Sequence, residues 1–331
     1  MERGGDKTLD PQVREVLEQH LAPATGTIPL ETFIDLALYH PQVGYYLRPE
    51  SRVGHRSGTD FYTAQSLGTV YSNLVLAALE ELSGSSLDTF SLVEFGPESS
   101  AGTMGPAGKS PFRETLLVRP GEAFTIPSRS IVFSNELFDA QPFRRFIRRN
   151  DKWMEAGVRI TDNALDWCEL EPAQSLPPLP EASEGYIIDW PGQARQLMQD
   201  ICSQSWEGLF VAFDYGLERS VIFSERPSGT GRTYADHQLG TDLLANPGHI
   251  DITCHVIWDE LEDALRDNAF ESIRIERQEA FFMHHSRKEI ARILEGSAGS
   301  FSPEKQTLME LLHPENMGHK FQVLSARRGE L

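Results

Sequence analysis

Hydrophobic positions in the first forty residues recur at helical spacing. Val13, Val16, Leu17 and Leu21 share one face of a segment over 11–21, and Leu30, Phe33, Leu36 and Ala37 do so over 29–39. Another helix is expected through Leu82, after the aromatic-rich stretch around Gly58–Ala64. The pattern then changes to short apolar runs that end in polar residues: Ser91-Leu92-Val93-Glu94-Phe95-Gly96-Pro97-Glu98, Ile131-Val132-Phe133-Ser134-Asn135-Glu136, and Leu209 to Phe213 followed by Asp214-Tyr215-Gly216. Continuous apolar runs of this length read as strands buried on both faces, as in a parallel sheet. In such sheets ligands sit outside the carboxyl ends of the strands. The fold class expected is therefore α/β, a doubly wound sheet of Rossmann type.

Further strands are expected at Phe112–Val118, Phe143–Ile147, Trp153–Ile160, Leu165–Leu170, Ser272–Phe282 and Phe321–Ala326. Helices are expected at Gln193–Trp206, Leu261–Asn268, 286–295 and 303–313. Residues 98–112 are rich in Gly, Pro and Ser and make poor helix. Too few residues separate the first strand from Asn135 for the usual succession, so about one βα unit is missing. Arg226–Ile250 reads as a long irregular segment, a kind that is often functional.

The strand ends concentrate the candidate chemistry. Asn135, Glu136 and Asp139 follow one strand, with Phe138 offering a ring to stack on, and Asp214 follows another. Asp251, His237 and His255 lie near the end of the irregular segment. Each has a structural alternative: Asp139 as a helix cap, Asp251 and His255 as helix braces, and His237 as a loop hydrogen-bonder. No Gly-x-Ser-x-Gly elbow, phosphate loop or metal-ligand helix motif is found, which ranks a hydrolase last.

Charge narrows the partners. With 49 acidic and 30 basic residues among 331, the formal charge is −19. Such a surface disfavours nucleic acid and anionic membranes and suits a basic partner. Arg144, Arg145, Arg148 and Arg149 form a local basic exception. Cys168, Cys202 and Cys254 are few and widely spaced, as reduced thiols are. The polar start and the lack of a long apolar run make cytoplasm the expectation.

In order along the chain stand Gly44-Tyr45-Tyr46, Gly58-x-Asp60-Phe61-x-Thr63, Glu94-x-Gly96-Pro97, Asn135-Glu136-x-Phe138-Asp139-Ala140-x-Pro142, Asp214-Tyr215-Gly216, Pro247-Gly248 and Asp251-x-Thr253-x-His255-Val256. This set resembles the MidA family, which includes the mitochondrial complex I assembly methyltransferase. The resemblance implies a class I methyltransferase using S-adenosylmethionine. Its sheet would have seven strands, the last antiparallel, with an N-terminal helical or lid extension over 1–85. The remaining 86–331 would be the catalytic domain, with insertions at about 143–190 and 224–256. The implied substrate is a protein arginine, possibly on a respiratory-complex subunit. Glu94, Gly96, Pro97 and Gly102 would belong to the cofactor loop. Asn135 and Phe138 would line the cofactor, and Tyr45, Asp60 and Thr63 would close over it. The family's Glu-x-Gly-Pro-Gly-x-Gly reads Glu94-Phe95-Gly96-Pro97-Glu98-Ser99-Ser100 here. Leu116–Pro127 lines up better with the family's third strand than with its second. Glu122 is then a weak substitute for the ribose-binding acid. These departures motivate the alternative, a partner-binding assembly factor on a methyltransferase frame.

Overall fold

The computed structural model describes residues 9–47, 68–105, 110–171, 175–235, 238–296 and 302–330. The helices are α1 (Pro11–Gln19), α2 (Leu30–Tyr39), α3 (Thr69–Ser83), α4 (Gly192–Cys202), α5 (Arg219–Glu225), α6 (Trp258–Asp267), α7 (Gln278–His285), α8 (Arg287–Glu295) and α9 (Pro303–Leu312). The main sheet contains β1 (Ser91–Phe95), β2 (Glu114–Val118), β3 (Arg129–Asn135), β4 (Glu207–Asp214), β5 (Glu271–Arg277) and β6 (Gln322–Arg328), in the order β5-β6-β4-β3-β1-β2. The pairs β1–β2, β1–β3 and β3–β4 are parallel. Strand β6 runs antiparallel to both β4 and β5.

Side chains alternate across this sheet as the pleat requires. Leu92, Ile131, Phe133, Leu209, Val211 and Phe213 face one core, shared with α3, α7, α8 and α9. Val93, Phe95, Val132, Phe210 and Ala212 face the other, under α4 and α6. Both faces are covered, so the strands are apolar throughout rather than alternating.

The chain leaves the main sheet after β3 and returns at β4. Between them, strands Arg144–Arg149, Lys152–Thr161, Ala164–Leu170 and Ile187–Trp190 form a second, antiparallel sheet. Strand Thr27–Pro29 joins it through Ile28 opposite Val158. Helices α1 and α2 pack there, with Val13, Leu30 and Phe33 against Ala156 and Val158.

Several expectations change. The sheet has six strands among the described residues, fewer than the implied seven. Glu114–Val118 pairs directly with Ser91–Phe95, so it holds the second-strand position and no described strand lies beyond it. The unit without a counterpart is therefore the third. Ser272–Phe282 divides into β5 and α7, because Phe281 and Phe282 turn into the core against Phe213. The segment over Arg226–Ile250 contains Arg232–Ala235 and Gln238–Gly240, which pair with each other, and Arg232–Ala235 also pairs with Asp251–Thr253. The four arginines of the basic patch are each engaged: Arg144 by Glu155, Arg145 by Asp189, Arg148 by Glu181 and Arg149 by Glu169.

Where β4 begins, Gly208 has φ +139°, and a Cβ there would sit 1.9 Å from the Ser130 carbonyl oxygen. Gly208→Ala is expected to cost roughly 1–3 kcal/mol, the range for forced overpacking. A urea midpoint equal to the wild type would show that the β3–β4 pair absorbs the methyl group.

Candidate active site

The turn after β3 is fixed by a single carboxylate. Asp214, fully buried at the end of β4, accepts the Leu137 and Phe138 N–H groups on Oδ2 at 3.1 and 2.8 Å. Its Oδ1 accepts the Tyr215 N–H at 2.8 Å. The Glu136 N–H donates to Phe213 O at 2.9 Å, and Glu136 itself sits at φ 50°. A positive φ at a non-glycine residue is strained and persists only where its surroundings over-determine it. Residues 136–143 form no helix, so Asp139 is not a helix cap.

Two tyrosine-led chains converge on this turn. The Tyr71 hydroxyl donates to Asn135 Oδ1 at 2.7 Å, and Asn135 Nδ2 donates to Glu136 Oε1 at 3.1 Å. The Tyr46 hydroxyl donates to Asp251 Oδ1 at 2.8 Å, while Tyr39, stacked on Tyr46, donates to the Ala140 carbonyl at 2.9 Å. Asp251 is placed by strand pairing opposite Tyr234, and the Cys254 N–H donates to Asp139 O at 2.9 Å. Asp139 Oδ1 and Ser134 Oγ are buried without a hydrogen-bond partner among the described residues.

The result is a sunken cluster of carboxylates. Burial is the main cause that pushes the Glu136 carboxyl well above its ordinary range, followed by the charges of Glu98 and Asp214. Burial likewise raises Asp139 well up, then Asp214, Glu136 and Asp251. Asp214 is pushed to about 6 by burial, against the pull of its backbone donors. Desolvation and like charge both favour the neutral acid.

The loop after β1 folds around Glu94. This buried carboxylate accepts the Thr103 N–H at 2.9 Å and the Thr103 hydroxyl at 2.7 Å. Gly102, at φ +67°, lies against it, and a Cβ there would fall 2.6 Å from Glu94 Oε2. Gly96, at φ +66°, is backed by Leu137, and Pro97 follows it half-buried. Glu98 is exposed, and it acts on the site through its charge on Glu136. At the end of β2, Glu122 Oε2 accepts the Arg119 N–H at 2.9 Å, closing its own turn. A cleft of about 820 Å³ opens there, walled by α2, Phe95, Gly96, Val118–Glu122, Leu137 and α4.

The expected site residues are thus partly brought together. Asn135, Glu136, Asp139, Asp214 and Asp251 form one cluster. Phe138 is fully buried in the layer under α4 and α6 and meets Phe210, so its ring has no free face to stack on a ligand. Tyr45 is buried edge-on to Tyr46, and the Tyr46 hydroxyl reaches Asp251. His255 stands by Thr230, Arg226, Arg232 and Asp189 instead of the cluster, and its pKa is lowered to about 4, first by burial. Asp60, Thr63 and His237 lie outside the described residues. Sequence reasoning missed Tyr39, Tyr46 and Tyr71. Tyr46 stood in a quoted motif, but Tyr71 lies on a helix face that reads as core.

Residues 119–275 match the profile of a family described as "putative S-adenosyl-L-methionine-dependent methyltransferase". The matched family is one of methyltransferases. A superfamily member and "likely methyl transferase" from Burkholderia thailandensis, solved bound to S-adenosyl-homocysteine, is 23% identical over 97% of this chain and 92% of its own, with a TM-score of 0.84. An uncharacterized protein of that superfamily from the same organism, in a native crystal structure, is 22% identical over the same shares, with a TM-score of 0.80. At that identity the likeness establishes the fold, a Rossmann-like methyltransferase sheet. No curated protein matches the chain. The described residues contain no helix long and apolar enough to cross a membrane.

The site also fits such a cofactor in part. The loop glycines keep their positive φ, and unpaired polar atoms remain at the end of β3. The end of β2 offers Val118 and Arg119, neither of them the acid that the sequence resemblance implies.

Because the folded state raises the Asp139 pKa, it binds a proton more readily than the unfolded chain, and stability is lost as pH rises through the shifted range. Asp139→Asn should therefore melt above the wild type at neutral pH, with the gap closing as the pH falls towards the ordinary carboxyl value. A gap independent of pH in paired thermal melts would remove the charge explanation.

Proposed function

We propose that the protein is an S-adenosylmethionine-dependent methyltransferase of MidA type that methylates an arginine side chain on a protein. The observation that carries this reading is the buried carboxylate cluster at the ends of β3 and β4, on a methyltransferase sheet. A cation entering among Glu136, Asp139, Asp214 and Asp251 would restore their ionised forms, so the site is matched to a guanidinium. The acidic surface suits a basic substrate segment. The first acceptors to try are arginines on respiratory-complex subunits.

The backbone of Gly96, Pro97 and Gly102, together with Asn135, would hold the cofactor. When bound, it supplies an electrophilic methyl group on a sulfonium. The chain's own contribution is positioning and proton removal. Glu136, oriented by Asn135 and Tyr71, would hold the acceptor and, once the cation has restored its charge, take the proton. Asp214 is a positioning residue that holds the turn. A second reading, a partner-binding assembly factor, is favoured by the end of β2, where Val118 and Arg119 stand and Glu122 accepts the N–H of its own turn.

Calorimetric titration with S-adenosylmethionine and S-adenosylhomocysteine separates the two. Micromolar binding is expected; no heat at millimolar ligand from folded protein would leave the assembly factor. Glu136→Gln should lower turnover by about 100-fold or more, the usual worth of a general base, without altering circular dichroism. Unchanged turnover would take Glu136 out of the mechanism.

A further inference from the structure

The geometry points to a metal site away from the carboxylate cluster: we propose that Glu276, His284 and His285 bind a divalent transition metal, with zinc the best match. Glu276 is the penultimate residue of β5, and the chain passes directly into α7, whose last two residues are the histidines. The helix folds back so that its C-terminal end returns to the strand. Glu276 Oε1 lies 2.6 Å from His284 Nδ1, and Oε2 lies 3.3 Å from His285 Nε2. One donor atom from each residue lies within 4.8 Å of the others.

Two imidazole nitrogens and a carboxylate oxygen are a donor set that zinc accepts, and the fourth tetrahedral position then falls to water. Bond lengths of about 2.0–2.1 Å put tetrahedral donors about 3.3 Å apart, so His284, now 2.6 Å from Glu276 Oε1, must draw back slightly. It is free to do so at 55% exposure, while Glu276 at 14% and His285 at 13% form the firm floor. Without metal the same nitrogens are hydrogen-bonded to Glu276, in the tautomers that point N–H at the carboxylate; with metal they present lone pairs. The ion would tie β5 to α7. Phe281 and Phe282 of that helix pack on Phe213, and Phe282 meets the ring of Tyr71 edge-on. That tie within the fold is independent of the methyl-transfer reading.

The test uses the full chain, stripped with chelator and titrated with zinc chloride by calorimetry, with cobalt absorption as a spectroscopic check on coordination. One equivalent should bind in the micromolar range, and zinc should raise the melting temperature. His284→Gln and Glu276→Gln should each weaken binding about tenfold or more and abolish the thermal shift, whereas His249→Gln, a surface histidine outside the cluster, should change neither. No uptake by the wild type overturns the proposal, and so does equal affinity in His284→Gln and His249→Gln.

Discussion

One carboxylate holds the candidate site in its shape. Asp214 accepts backbone N–H groups both from the turn after β3, Leu137 and Phe138 among them, and from its own successor, Tyr215. Two parallel strands end side by side, and their outgoing chains must diverge without leaving amide groups unpaired. One acceptor side chain on β4 serves the donors of both. Everything that surrounds the site inherits its position from this junction. The strained Glu136, the Asp139 carbonyl that receives Cys254, and the Ala140 carbonyl that receives Tyr39 all lie on the turn it holds.

A second junction of the same kind joins the antiparallel sheet to the segment near residue 230. Asp189, fully buried, accepts Arg145 through two nitrogens at 2.7 and 3.0 Å and the Thr230 and Gly231 N–H groups at 2.8 and 2.7 Å. Here the buried acid meets a cation and all its oxygens are served, the condition under which a buried pair is tolerated. The contrast with Asp139 is instructive. Within one chain, one acid is paired with a cation, and another is left with an oxygen that no described donor meets.

The sheet was legible because its strands carry continuous apolar runs, and both faces of each strand are covered. The acids at the strand ends were legible for the same reason, since polar residues terminating such runs mark the carboxyl edge. Less visible was anything that depended on which face a residue takes. Phe138 looked like a ligand platform and turned inward, whereas Tyr71, for which the sequence raised no expectation, reached Asn135. Residues 272–282 read as one strand because Phe281 and Phe282 satisfy either period over so short a run. The place of Glu114–Val118 beside β1 was hidden because strand order is set by pairing between distant segments, which local patterning does not encode.

Strand β6 fills the gap between β4 and β5, with Val323 opposite Phe213 and Leu324 opposite Ile275. It lies far downstream of β4 in the chain. On the ribosome, then, the Leu209–Phe213 edge emerges well before the strand that will cover it. A nascent chain halted between residues 214 and 322 presents an open apolar edge of the kind that recruits other strands. The order of synthesis thus makes the last stretch of sheet the one that protects the newly made protein from its neighbours.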